Sequence, residues 1–178
     1  MIKFNEFFTF EEFYQSVNGK NSAAYYSRKA VKRGYKFIEI DRNSFAEDIF
    51  AINTSASHRQ GREMSVSYKK LEASFINKPN FRYYGIINKD NKLLSYCNIG
   101  YFGEFIIVSR LLGHKDYLND GIMYLMMIEV IKMAFSEYKS KGYNFFMYDT
   151  FFGASSGLKL FKTKLGFKPY RVKWLWVD

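Results

Sequence analysis

Tyr148-Asp149-Thr150-Phe151-Phe152-Gly153-Ala154-Ser155-Ser156-Gly157-Leu158-Lys159-Leu160-Phe161-Lys162-Thr163-Lys164-Leu165-Gly166-Phe167 decides how this chain is read. The pattern is a buried strand ending in a carboxylate, a Gly/Ser-rich turn, a short helix and a Leu-Gly-Phe stop. A strand that opens onto a helix N-terminus is where α/β proteins commonly seat ligands, because unpaired backbone donors and the helix dipole converge there.

Immediately upstream, Asn144 to Asp149 reads as the strongly apolar strand itself, and residues 120–139 predict a long helix that is apolar on nearly all sides through its first turns. Before that helix, residues 81–88, 93–100 and 103–112 form three consecutive strands, the first two joined at Lys89-Asp90-Asn91-Lys92. Ahead of this meander lie a strand over 35–40, a helix opened by the capping box Ser44-Phe45-Ala46-Glu47, a polar loop over 57–64 and a second helix over 65–75. Thr9-Phe10-Glu11-Glu12 has capping-box spacing and opens a short N-terminal helix. Residues 21–34 are expected to be a basic connector carrying Arg28, Lys29, Lys32 and Arg33, and residues 170–177 to be the closing strand.

At 178 residues, one domain spanning 1–178 is expected, with 1–34 as helix and connector and 35–177 as core. Hydrophobic residues at 48% and aromatic residues at 20% exclude a disordered chain. Lys and Arg number 27 against 17 Asp and Glu, a net charge of +10. That charge suits an anionic partner such as nucleic acid, a phosphorylated cofactor or a membrane surface, and suits a lysine-rich solvated surface equally well. The single Cys97 excludes an internal disulfide and a cysteine-based zinc site, and no metal is expected. The N-terminus lacks a secretory pattern, and the apolar run Gly121 to Ile128 falls short of the ~20 residues that span a bilayer. A cytoplasmic protein is the expectation.

The order β-α-α-β-β-β-α-β-α-β resembles the GNAT acyltransferase superfamily over residues 35–177, and Leu165-Gly166-Phe167 matches the Leu-Gly-Phe that closes the last helix in many members. The resemblance implies a single GNAT-like α/β domain, its mixed, mainly antiparallel central sheet flanked by helices. Gly157-Leu158-Lys159-Leu160-Phe161-Lys162 is similar to the run that opens the last helix of Fem-type aminoacyl-transferases and their single-domain relatives. Coenzyme A-using members carry Gln/Arg-x-x-Gly-x-Gly/Ala before the central helix. The matching register here, Leu118-Asn119-Asp120-Gly121-Ile122-Met123, keeps one glycine, with Leu118 and Met123 at the other two positions.

The resemblance implies transfer of an acyl group, acetyl above all, from acetyl-CoA or another acyl-CoA to a small-molecule or cell-envelope amine. Lys115, Gly121, Ile122 and Lys162 are its expected cofactor-binding residues. Acyl transfer needs a base for the ammonium, an oxyanion donor and a proton for the leaving group. Glu104, Asp149, His114 and Ser155 are the catalytic candidates; a turn carboxylate, a strand-end cap, a loop histidine and a helix cap are their ordinary roles. Arg59, Gln60 and Arg62 concentrate amide and guanidinium donors suited to a phosphate or carboxylate and, with Tyr148, are the expected substrate-binding residues. Two other functions remain open: a Fem-like transferase using aminoacyl-tRNA, and a nucleic-acid-acting or non-catalytic module that uses the basic stretch from Arg28 to Arg33.

Overall fold

The three-strand meander, its central strand buried along most of its length, builds the middle of the sheet. A computed structural model describes residues 1–59, 61–148 and 150–173. In chain order the elements are β1 (Ile2–Lys3), α1 (Phe10–Ser16), α2 (Ala23–Lys32), β2 (Lys36–Glu39), α3 (Ala46–Thr54), β3 (His58–Arg59), β4 (Arg62–Glu63), β5 (Phe81–Ile87), β6 (Leu93–Phe102), β7 (Phe105–Gly113), α4 (Ile122–Lys141), β8 (Phe145–Tyr148) and α5 (Ser156–Lys164). Six strands pair in the order β1-β8-β7-β6-β5-β2, antiparallel throughout except for the parallel pair β7–β8. Strands β3 and β4 make a separate short hairpin.

One face of the sheet is covered by α1, α2 and α4. Phe13, Ala23, Ala30, Met126, Ile131 and Phe146 are buried there with Leu165 and Phe167 from the Leu-Gly-Phe stop. Each large side chain so buried contributes about 1.5–3 kcal/mol. On the other face, α3 packs over Tyr83, Ile87, Leu93 and Tyr96. Among the described residues, no helix is long and apolar enough to cross a membrane.

Four expectations need correction. The basic stretch is not a connector: Ser22 accepts from the Tyr25 amide at 3.2 Å and starts α2, whose small residues Ala23, Ala24, Ser27 and Ala30 are buried. Small residues let two helices approach closely, but they leave a weak hydrophobic signal, so only the exposed lysines and arginines stood out. The expected helix over 65–75 is a single 3-10 turn at Val66–Lys69 followed by irregular chain. The Ser44 capping box does not form: Asp41 caps a 3-10 turn over Arg42–Phe45, and α3 begins after it. The closing strand is absent over 170–173, and its remaining residues lie outside those described. Beside β8, the sheet edge is instead β1, with Ile2 opposite Phe146.

Thr9 caps α1 as read, with the reciprocal Glu12 bond displaced to the residue before the cap. Thr9 Oγ1 accepts from the Glu12 amide at 3.2 Å, and the Glu12 carboxylate accepts from the Phe8 amide at 2.9 Å.

Candidate active site

Strands β7 and β8 begin side by side and then part. Their registered pairs run from Phe105–Phe145 to Val108–Tyr148; among the described residues, β7 continues to Gly113 with no strand on that side. Two features open the gap. Asn98 of β6 faces Arg110 while Ile99 faces Val108, so Ser109 is an extra residue in β7. Such a bulge increases local twist and turns the strand end. At the other wall, Thr150 adopts φ 58°, an uncommon conformation for a β-branched residue.

Lys162 holds that second wall in place. It is 0% exposed, and its ammonium donates to the carbonyls of Tyr148 at 3.1 Å and Thr150 at 2.9 Å. The same ammonium lies 4.2 Å from the centre of the Tyr148 ring. A buried ammonium is tolerated only when its donors are matched to acceptors, and these carbonyls are such acceptors.

The parting strands leave a cleft of about 460 Å³. Leu111, Leu112 and Gly113 form one wall, Tyr148, Leu158 and Phe161 the other, and Leu118 and Met123 the end near α4. His58, Arg59, Lys115 and Ser155 supply its polar groups. Arg59 binds the end of β7 to α3, donating to Gly113 O at 2.9 Å, Ile52 O at 2.8 Å and Ser55 Oγ at 3.0 Å. Its Nε is buried with no hydrogen-bond partner among the described residues, and burial lowers its pKa. Ser55 Oγ also accepts from the Lys115 amide at 3.1 Å. Burial pushes the Tyr148 phenol well above its ordinary value, so it remains protonated. Cys97 is likewise buried and pushed up, which makes it an inert thiol and not a nucleophile.

Four of the residues singled out by sequence therefore meet in one cleft: Arg59, Lys115, Tyr148 and Ser155. Others go elsewhere. Glu104 sits in the β6–β7 turn, at the far end of the paired segment, where its carboxylate accepts from Asn144 Nδ2 at 2.7 Å. His114 caps the 3-10 turn Lys115–Asp120 through Nδ1, which accepts from the Asp116 amide at 3.4 Å. Arg62 is exposed on β4, opposite Arg59. Ile122 is buried in the core and Lys162 behind the cleft wall. Ser155 Oγ accepts from the Leu158 amide at 3.4 Å as the cap of α5. Asp149 and Gln60 lie outside the described residues. Sequence reading missed the apolar walls, because Leu111, Leu158 and Phe161 look like ordinary core positions until β7 is left without its neighbour.

The start of α4 differs from expectation as well. Gly121 has φ 88°, and a Cβ there would lie 2.3 Å from the Tyr26 carbonyl oxygen. The glycine is thus required by the close approach of α2. Asp120 accepts from Tyr35 Oη at 2.7 Å and pairs with Arg33 at 3.2 Å. Burial and that carboxylate raise the Tyr35 pKa to about 12.

No protein-family model matches this chain, and no curated protein matches it in sequence. Solved structures match it in fold. An aminoglycoside 6'-N-acetyltransferase from Acinetobacter baumannii aligns with a TM-score of 0.54 and 12% identity, over 82% of this chain and 99% of that one. An acetyltransferase from Trypanosoma brucei aligns at 0.52 and 12% identity, over 81% and 99%. The ribosomal-protein-S18-alanine N-acetyltransferase from Escherichia coli aligns at 0.50 and 8% identity, over 72% and 75%. The chain has the fold of GNAT acetyltransferases; the Fem-type resemblance is not shown by these neighbours.

Proposed function

We propose that this protein is an N-acyltransferase that moves an acyl group from a thioester onto an amine by direct transfer. The observation that carries this reading is the parting of β7 and β8 beyond Val108 and Tyr148. An extended thioester arm can lie along the unpaired edge of β7 as an added strand would, its amides matched to backbone groups and its acyl end among Leu111, Leu112 and Phe161. Acetyl-CoA or another acyl-CoA is a donor with such an arm. The aminoglycoside enzyme among the structural neighbours takes a small-molecule amine, and we extend that acceptor class to this chain.

In the reaction, the amine nitrogen forms a bond to the thioester carbonyl carbon, the carbon–sulfur bond breaks, and the proton lost by the amine ends on the departing thiolate. Tyr148 stays a phenol through neutral pH because burial raises its pKa. It is therefore suited to donating a hydrogen bond to the developing oxyanion or to sulfur, and poorly suited to giving up its proton outright. Arg59 keeps the end of β7 in place through Gly113 O, so the arm meets a fixed edge. His58, exposed at the rim with Nδ1 3.1 Å from Ser57 Oγ, is placed to take a proton from an approaching ammonium.

The test is amine-dependent release of free thiol from acetyl and longer acyl thioesters, read with a panel of primary amines. The expected result is release by the wild type and loss in Leu111→Asp, which puts a charge into the apolar wall. Thiol release that is the same with and without every amine would sink the reading.

A further inference from the structure

We infer that the donor is held by its thioester arm alone, without a grip on a nucleoside diphosphate, and that an acidic carrier protein presents this arm. The inference rests on the acyltransferase reading above and concerns the donor of that same cleft.

A diphosphate bound at a helix start needs small residues for close approach, backbone amides with no prior partner, and a cation. The start of α4 falls short in close approach and in net positive charge. For approach, the far face of Gly121 is closed by the Tyr26 carbonyl, whose oxygen presents negative partial charge to that side. On the cleft side, Met123 and Leu118 converge over Gly113, where a Cβ would lie 2.6 Å from Met123 Sδ and 3.0 Å from Leu118 Cδ2. For amides, the preceding turn has committed its own, Lys115 N to Ser55 Oγ, Asp116 N to His114 Nδ1, Tyr117 N to His114 O and Gly121 N to Leu118 O, so only the first amides of α4 itself face a ligand. For cations, Lys29 donates to Asn119 O at 3.0 Å and Arg33 is paired with Asp120, which leaves Lys115 at the cleft mouth. Asp120 offsets the charge of Arg33, so the pair brings no net positive charge to the helix start.

Coenzyme A therefore fits this site only by its arm. The cleft that receives the arm is otherwise intact, with the open β7 edge on one side and Leu158 and Phe161 on the other. An arm detached from a nucleotide still needs a bearer that brings it to the mouth. Lys115 borders the cleft, Lys159 follows Leu158 on α5, and exposed Arg62 lies on the hairpin whose other strand lines the cleft. Asp116 and Glu63 are exposed acids on this rim, Glu63 being paired with Lys69 at 2.8 Å. With a net charge of +10, the chain attracts an acidic bearer over the Debye length of about 8–10 Å.

The experiment titrates wild-type protein with three donors bearing the same acyl group: acyl-CoA, acyl-pantetheine, and acyl-pantetheine on a small acidic carrier protein, each at low and raised ionic strength. The expected result is that acyl-CoA and acyl-pantetheine bind within about threefold of one another. The carrier-borne arm binds at least about tenfold tighter at low salt and loses that advantage as salt rises. Lys159→Glu weakens the carrier-borne donor and leaves acyl-pantetheine unchanged. Acyl-CoA binding tenfold or more tighter than acyl-pantetheine would overturn the inference while leaving the acyltransferase reading standing. A carrier-borne arm no tighter than the free arm would overturn the carrier. Absence of binding by all three, with amine-dependent thiol release also absent, would remove the underlying reading as well.

Discussion

The two halves of β7 are one continuous strand in two environments. From Phe105 to Val108 it has β6 on one side and β8 on the other; Ile106 and Val108 are buried, and Phe105 stacks on Phe145 at 5.1 Å. From Ser109 to Gly113 it keeps β6 and loses β8. The first half is structural, and polar groups near it, such as Glu104, serve the turn. The second half carries the cleft. The difference shows that the site arises from where pairing stops: exposed Ser109 and Arg110 mark the break, and the apolar residues beyond them become a wall. Leu111 and Leu112 are as apolar as Ile106.

Several substitutions bear on this contrast. The largest effect is expected for Lys162→Met. Its loss leaves the carbonyls of Tyr148 and Thr150 without their buried donor, and should lower unfolding free energy by about 3 kcal/mol. If the denaturant midpoint hardly moves, Lys162 does not hold the wall. Tyr148→Phe should leave stability and KM nearly unchanged and lower kcat by about 10- to 100-fold, as for a lost hydrogen-bond donor to the transition state. An unchanged kcat would take Tyr148 out of the chemistry.

The Tyr35–Asp120 contact makes a pH prediction. The Tyr35 pKa rises from 10.0 to about 12 on folding, so between those values the unfolded chain gives up a proton that the folded chain keeps. Stability contributed by this group is fully present below pH 10 and is lost as pH climbs through about 12. Tyr35→Phe should flatten the alkaline fall in stability over that window, as read by denaturant unfolding. Glu104→Gln is expected to have the smallest effect, changing kcat/KM by less than about twofold. A loss beyond tenfold would return the paired end of the strand to the active site.

Much of the architecture was legible from residue patterns. The three meander strands, the central helix, β8 and α5 were read because their periods are long and strong. Helix α2 was missed because its buried face is made of Ala and Ser, whose burial depends on how closely α4 approaches. The segment 65–75 was overread as one helix: Val66 and Leu71, five positions apart, share no helical face, and the structure leaves both exposed. Among site residues, Arg59, Lys115, Tyr148 and Ser155 were found by type and position. Lys162 was read as an anion-binding group. Its helix places it inward instead, and which face of a nine-residue helix is buried depends on the sheet it meets.

The stretch from Tyr148 to Phe167 by itself determined a strand, a capped turn and a helix, because capping, glycine turns and apolar periodicity act over a few residues. Upstream of it, the sequence also has Leu118 where the resemblance expects Gln or Arg, and Met123 where it expects a small residue. Only the tertiary structure decided that β7 and β8 part, that Tyr26 closes the far side of Gly121, and that the ammonium of Lys162 turns inward to hold the cleft wall. These are contacts between residues far apart in sequence. Their geometry follows from how helices and strands pack, which no local pattern contains.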